Sequence, residues 1–315
     1  MEKLAPIVLF VYNRPEKTYN TLQALKDNDL AKQSILYIFS DGPKNEEQSY
    51  KVEKVREIIQ DVQGFKDVQV FYSNSNHGLA NSVISGVSKI IKEYGKVIVL
   101  EDDLITSRYF LNFMNEALHF YKNNNKIWSI SGYTPKIDFP NYYESDIYIT
   151  TRACSWGWGT WGDRWEKIDW EIKDYHEFKK NKLQRKRFNS SGNDMSNMLD
   201  EQVRGVIDSW AIRWCFNQFT VESYTVYPNC SFIKNTGLIG DSTHGSLNKN
   251  FINEIVDYYD INFTNEELDN QILSQFSDYY NLKYYNYLGI ILKRVGLYRK
   301  IKPLYKKYIA RSLLH

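Results

Sequence analysis

The chain is poor in cysteine, has no long apolar run and carries almost no net charge, and each scarcity narrows what it can be. Cys154, Cys215 and Cys230 are the only cysteines in 315 residues. They are odd in number, widely spaced and without a C-x-x-C pair. Neither a disulfide framework nor a structural zinc site is indicated, and a reducing cytosol suits such a chain. No window reaches the roughly 18 apolar residues that a membrane span requires. Met1-Glu2-Lys3 leads directly into a strand-like run with no small-residue cleavage site, so no signal peptide is expected. The net charge of +2 points to no partner until its distribution is examined. Aromatic residues, by contrast, are abundant at 16%, with 25 Tyr and 8 Trp. They suit stacking on sugars or bases, interfacial membrane contact, or plain packing. With 43% hydrophobic and 25% charged residues, the composition is that of a soluble globular protein. The length suffices for one large α/β domain with an appendage, or for two modest domains.

One stretch organises the rest. Val97-Ile98-Val99-Leu100 is a run of four apolar residues, three of them β-branched, as in a strand buried on both faces. Glu101-Asp102-Asp103 follows where that strand leaves the core. Adjacent carboxylates repel one another, and burying one unpaired is expensive. A divalent cation holding a phosphate-bearing ligand removes that cost; a polar strand exit facing water is the alternative.

Upstream, Ile7 to Tyr12, Ile35 to Phe39 and Val68 to Tyr72 read as strands. Between them lie a helix that Pro15 begins, a charged helix from about Glu46 to Gln60, and an amphipathic helix from Leu79 to Tyr94. This alternation predicts a doubly wound, mostly parallel sheet. Ligands of such sheets bind beyond the carboxyl ends of the strands. Asn13-Arg14, Asp41-Gly42, Asn76-His77-Gly78 and the acidic triplet all fall just past predicted strand ends, and so line one crevice.

The second half is less regular. Ile127 to Gly132 and Ile147 to Thr150 read as strands, and Cys154 to Gly162 as a loop dense in Trp and Gly. Asn181 to Asn193 reads as a flexible basic insertion. Val206 to Phe219 reads as a helix with Asp208 in its first turn, where the macrodipole favours an acid. Asn235 to Ser246 is a polar loop containing Asp241 and His244. After Asp278 no acid occurs, while Lys and Arg alternate with Leu, Ile and Tyr. Such a tail suits an anionic membrane surface, a basic helical cap, or a partner. No nucleic-acid partner is expected, because the crevice motifs are acidic.

In this order the motifs resemble the glycosyltransferases of the GT-A fold, the N-acetylglucosaminyltransferase I family in particular, with related bacterial sugar transferases. The resemblance rests on Asn13-Arg14, Ser40-Asp41-Gly42, Val99 to Leu104, Ile127 to Ser131, Gly157-Trp158, Asp208-Ser209-Trp210 with Arg213, and Ser242 to Gly245. It covers roughly residues 5–246. It implies a GT-A (Rossmann-like) mixed sheet over residues 1–250, with a nucleotide-binding half of about 1–105 and an acceptor half of about 106–250. A helical basic extension then occupies 251–315.

Position by position, the resemblance implies that Asn13, Arg14 and Asp41 contact the nucleotide, Asp41 by accepting from the base N–H. His77 would lie near the nucleotide or diphosphate, and His244 would contact the diphosphate or the metal. Glu101 and Asp102 would help to hold the nucleotide sugar, and Asp103 would bind Mn2+ or Mg2+. Asp208 would be the catalytic base, with Glu201 and Asp200 as alternatives, partly desolvated beside Trp210 and so strengthened. Trp156, Trp158 and Trp161 form an acceptor platform, or else only pack. The implied activity is inverting, metal-dependent transfer of a sugar, N-acetylhexosamine first, from a UDP-sugar to a cell-surface glycan or lipid-linked acceptor. The implied location is the cytoplasm, at the inner face of the plasma membrane through the tail. A sugar-phosphate nucleotidyltransferase and a non-catalytic sugar- or membrane-binding module are the rivals. The first usually carries a Gly-rich basic stretch where Asn13-Arg14-Pro15-Glu16 stands.

Overall fold

The computed structural model describes residues 3–237 and 254–282. The first half alternates as the sequence predicts: β1 (Ile7–Val11), α1 (Pro15–Lys26), β2 (Ile35–Ser40), α2 (Glu46–Ile59), β3 (Asp67–Tyr72), α3 (Leu79–Tyr94) and β4 (Lys96–Glu101). There follow β5 (Leu104–Thr106), α4 (Phe110–Phe120), β6 (Ile127–Ser131), β7 (Ile147–Thr150), β8 (Trp158–Trp161) and α5 (Gly162–Trp165). The helices α6 (Tyr175–Lys180), α7 (Lys182–Phe188), α8 (Met195–Val203) and α9 (Trp210–Thr220) come next. Then come β9 (Tyr224–Pro228), β10 (Ile233–Asn235) and α10 (Asn270–Tyr280).

Eight strands form one mixed sheet in the order β3-β2-β1-β4-β8-β6-β9-β7, and β5 pairs with β10 apart from it. β1 to β4 are mutually parallel, β8 runs antiparallel between β4 and β6, and β7 closes the edge antiparallel to β9. The chain steps outward from β1 to β3 and then returns to place β4 on the other side of β1. That reversal opens a crevice at the carboxyl ends of β1 and β4. Alternate residues of the strands serve opposite faces. Leu9, Leu36 and Ile38 pack with Leu22, Leu25, Val55 and Ile59 of α1 and α2. Val8, Phe10 and Val99 pack with Val83, Val87 and Ile90 of α3. The architecture is therefore the doubly wound α/β sheet that the alternation implied.

Four local expectations are corrected. The Trp- and Gly-rich stretch is no loop at its centre: Trp158 to Trp161 form the buried strand β8. Residues 181–193 are ordered by α7, whose cap Asn181 accepts from the Leu183 and Gln184 N–H groups, and by Phe188 in a third apolar cluster. The helix expected from Val206 begins only at Trp210, because the Ser209 side chain caps it by accepting from the Ile212 N–H. Asp208 thus precedes the cap and lies outside the helix. Within the expected basic extension, 254–282 carries Glu254, Asp257, Asp260, Glu266, Glu267, Asp269 and Asp278 and no Lys or Arg. Its helix α10 buries Ile272 and Phe276 in the main core. The basic residues from Lys283 onward lie outside the described residues. Among the described residues no helix is long and apolar enough to cross a membrane.

Candidate active site

Arg14 immediately precedes Pro15, which begins α1 with its φ already set for a helix. This sends the guanidinium back over the end of β4, 2.6 Å from Asp103 and 3.4 Å from Asp102. The Tyr12 N–H donates to Asp102 Oδ2 at 3.2 Å, and the Thr21 hydroxyl donates to the Asp102 carbonyl at 3.0 Å. The acidic triplet is therefore clasped by the first strand and helix. Asp102 and Asp103 are buried, and Glu101 is half-buried.

One guanidinium does not balance three carboxylates. Burial and then the charges of Asp103 and Asp102 push Glu101 up to about 8, against the pull of Arg14. Burial and Asp103 push Asp102 up to about 6, against Arg14 and the Tyr12 N–H. Burial disfavours the Arg14 cation, but Asp102 and Asp103 outweigh it and hold its pKa above the ordinary value. The surplus negative charge and the all-oxygen donor set fit a hard divalent cation. Among the described residues no group of three His, Cys, Asp or Glu forms a ready-made cage. Such an ion would instead take one or two carboxylates and complete its shell from ligand phosphates and water, as Mg2+ commonly does.

A cavity of about 640 Å³ opens beside these acids, within the range of small-ligand sites. It brings together Asn13, Arg14, Asp41, His77, Glu101 and Asp102 from the expected set. Asp103 faces Arg14 just behind this wall. Sequence reasoning missed Tyr12, Lys44, Gln48, Phe39, Phe71 and Ser82, which line the same cavity. Tyr12 and Lys44 carried a signal, because each lies within a few residues of a strand end; Phe71 and Ser82 read only as core and helix.

Asp41 lines the cavity and is also engaged within the fold. Its carboxylate accepts from the Gly42 N–H at 2.9 Å, the Asn76 side-chain amide at 3.0 Å and the Gly78 N–H at 3.1 Å. The His77 N–H reaches both oxygens, at 3.0 and 3.2 Å. A carboxylate has about four lone-pair positions, and these contacts draw on them. Asp41 ties the turn after β2 to the loop before α3. His77 itself is exposed at the cavity wall, its backbone engaged by that clasp.

Asp208 lies on the rim. A β-carbon built on Gly78 would fall 3.2 Å from Asp208 Oδ2, so the start of α3 abuts the carboxylate. Arg213 approaches to 3.6 Å, and the Asp208 side chain is 55% exposed. The desolvation expected beside Trp210 is absent, because that ring is turned into the core against Trp158, 4.6 Å away. Of the alternatives, Asp200 is held by Arg185 through two hydrogen bonds of 2.9 and 3.0 Å and accepts from Tyr175. Glu201 is half-buried on α8.

The three-Trp platform is also corrected. Trp158 and Trp161 are 2% and 5% exposed, and a buried ring offers no face to a sugar. Trp158 stacks within a cluster of Trp165, Trp210 and Trp214, and the Trp161 indole N–H donates to the Leu118 carbonyl. Trp156 alone is partly exposed, edge-on to Tyr133. His244 lies outside the described residues.

No family model matches the chain, nor does any curated protein. The resemblance to the N-acetylglucosaminyltransferase I family thus stays an expectation drawn from motifs. Among solved structures the chain is similar to a mannosyltransferase, PcManGT from Pyrobaculum calidifontis, in complex with GDP-Man and Mn2+. The two are 10% identical, with 70% of this chain and 74% of that one covered and a TM-score of 0.40. TarS 1-349 of S. aureus is 10% identical over 74% of this chain and 60% of that one, with a TM-score of 0.40. A UDP-glucose pyrophosphorylase complexed with UDP-glucose is 10% identical over 72% and 91%, with a TM-score of 0.36. At these identities and TM-scores the likeness carries no functional weight.

Proposed function

We propose that this chain is an inverting, metal-dependent glycosyltransferase that moves a sugar from a nucleoside diphosphate donor to an acceptor hydroxyl. The observation that carries this reading is one cavity at the carboxyl edge of the sheet. Its lining divides between charged side chains, Arg14, Lys44, Glu101 and Asp102, and aromatic ones such as Phe39 and Phe71, with the exposed Asp208 carboxylate beside Gly78 at its edge. A nucleotide sugar has the same division between a charged diphosphate and a planar base.

Each residue's part follows from its chemistry. Cleaving the sugar–diphosphate bond leaves added negative charge on the leaving group, and Arg14 and Lys44 are cations placed to meet it. A cation held by Asp103, with Asp102 beside it, would supply Lewis-acid stabilisation of that same charge. Arg14 also pairs with Asp103 at 2.6 Å and so orients its carboxylate. Asp208 takes the proton of the acceptor hydroxyl as it attacks; its exposure leaves it open to an incoming acceptor, and Arg213 keeps the carboxylate aimed. A single base acting opposite the leaving group yields inversion.

The donor is taken to be a UDP-sugar, N-acetylhexosamine first, and the acceptor a glycan or lipid-linked saccharide. The acceptor class rests on the basic residues after Lys283, as does placement at the inner face of the plasma membrane. A thermal-shift screen of UDP-, GDP- and other nucleotide sugars, with and without Mn2+, tests the reading. A true donor binds only the native state and raises its melting temperature, and it raises it further with the metal. No response to any nucleotide sugar sinks the proposal. Pyrophosphate release from a nucleoside triphosphate and a sugar phosphate marks a nucleotidyltransferase instead.

A further inference from the structure

Residues 178–193 contain six cations, Lys179, Lys180, Lys182, Arg185, Lys186 and Arg187, and no acid. These charges work against the helix that carries most of them. Lys182 opens α7 at the end where the macrodipole disfavours a cation, and it repels Lys186 one turn on. At seven residues α7 is also too short to hold itself. Its support comes from one side: Asn181 caps it, Arg185 pairs with Asp200, and Phe188 is buried in the third apolar cluster. The opposite face, about 140° wide from Lys182 through Lys186 and Leu183 to Arg187, is exposed. Leu183 is 67% exposed there. Arg187 is paired with Glu222, whereas Lys180, Lys182 and Lys186 make no ion pair among the described residues. The nearby acids Asp174, Glu177 and Glu222 line a cleft on the other flank of α7, and none of Lys182, Leu183 and Lys186 borders it.

The basic tail begins at the same place. Beyond α7 the chain turns at Asn193, and α10 ends against that turn. The Leu282 N–H donates to Asn193 Oδ1 at 2.7 Å, and the Asn193 N–H donates to Asn281 Oδ1 at 2.9 Å. Five residues separate Asn193 from Phe188 at the end of α7, so the two lie within about 18 Å of each other. Residues 283–315 follow from there with nine Lys and Arg and no Asp or Glu. The fold thus brings two cationic segments together that are far apart in the chain. Like charge excludes the tail, or the same face of a second copy, as what covers α7; the partner must be anionic. An exposed leucine among lysines suits a bilayer. The leucine enters the headgroup boundary, and the lysine stems lie along it with their ammonium groups on the phosphates. A nucleic-acid backbone would use the charges and leave the leucine in water. We infer that the exposed face of α7, with Lys180 beside it, docks on an anionic lipid surface next to the root of the basic tail. Phe188 rests on Phe216 and Phe219 in the C-terminal half of α9, and Asp208 precedes the other end of that helix, about 16 Å long. The lipid surface is then about one helix length from the rim of the cavity. This face extends the membrane placement proposed above from the tail to a folded surface, and it does not rest on the transfer reaction.

Flotation of the full chain with vesicles, in the absence of donor and metal, tests it. One set is phosphatidylcholine alone, the other phosphatidylcholine mixed with phosphatidylglycerol. The wild type should float with the mixed vesicles only, and less so as salt rises. One cation near such a surface changes partition by about fivefold, so Lys180→Gln, Lys182→Gln and Lys186→Gln together should lower it by about a hundredfold. The same change at Lys32, Lys51 and Lys92, which are exposed elsewhere on the fold, removes equal charge and should leave partition within about threefold. Leu183→Gln should weaken flotation by a factor that salt does not alter. All these side chains are exposed, so every variant should melt with the wild type. Three results overturn the assignment. The first is a wild type that ignores the mixed vesicles or binds phosphatidylcholine equally well. The second is an α7 triple variant that floats like the wild type, which leaves binding to the tail alone. The third is a control set as damaging as the α7 set, which reduces the effect to net charge. None of them bears on sugar transfer, which the nucleotide-sugar melting screen decides by itself.

Discussion

Gly78→Ala separates the geometry of the rim from general stability. Gly78 has φ +78° and ψ 161°, a region that essentially only glycine enters, and forcing alanine into it costs about 1–3 kcal/mol. The new methyl carbon also meets Asp208 Oδ2 at 3.2 Å, tighter than ordinary contact. Asp208 is exposed enough to retreat by a few tenths of an ångström, so the steric addition is small. The sum is about 1–3 kcal/mol, which lowers Tm by about 2–5 °C in a chain of this size. Turnover should fall further than the melting curve explains. Displacing a catalytic group by 1 Å costs about a hundredfold, so a shift of a few tenths implies about tenfold in kcat. Gly95→Ala is the control: Gly95 has φ +73°, but a β-carbon there meets nothing within 4 Å. It should cost about 1–2 kcal/mol through strain alone and leave kcat untouched. Calorimetry gives the stabilities, and sugar transfer measured well below both melting points gives the rates. If Gly78→Ala is no less stable than Gly95→Ala and transfers sugar at the wild-type rate, the approach of α3 does not hold Asp208, and the reasoning fails.

Four further outcomes are expected. Asp103→Ala should abolish metal-stimulated donor turnover while circular dichroism shows an intact fold; full metal-dependent activity in that variant counts against the assignment. Asp208→Asn should lower kcat by about a hundredfold or more with donor affinity unchanged, a range typical of removing a general base; a loss confined to donor binding points to another base. Trp158→Ala should destabilise the fold by about 3–5 kcal/mol in denaturant titrations, because the ring is buried in β8 rather than exposed to an acceptor. Burial acts against the Asp200 charge, but the hydrogen bonds and charge of Arg185 outweigh it and hold its pKa below the ordinary 3.8. Its stabilising effect is therefore complete above about pH 5 and lost as pH falls through the lowered folded-state value. Arg185→Gln should cost about 1–2 kcal/mol at pH 7, given side chains 24% and 18% exposed. The gap between the two proteins should close below about pH 4 in urea melts; a gap constant with pH removes the ion pair from the account.

The sequence by itself determined the doubly wound half and the strand exit where the acids gather. Buried parallel strands must be apolar along their length, and the segments joining them must be helices with a period of their own, so Ile7 to Glu101 was legible in one dimension. The acidic triplet was legible too, because three adjacent acids at a strand exit need an explanation wherever they occur. What the sequence could not determine was which atoms are already engaged. Asp41 looked like a free acceptor until the fold brought four N–H donors from three neighbouring residues and its own turn onto it. Trp158 and Trp161 looked like an open platform until Trp165, Trp210 and Trp214 packed on the first and α4 engaged the indole N–H of the second. The rings of Phe10, Phe39 and Phe71 stack in a row only because three strands far apart in the chain share a register. Hydrogen-bond capacity, ring faces and solvent access are finite and are divided among residues distant in sequence, so only the tertiary structure decides who receives them.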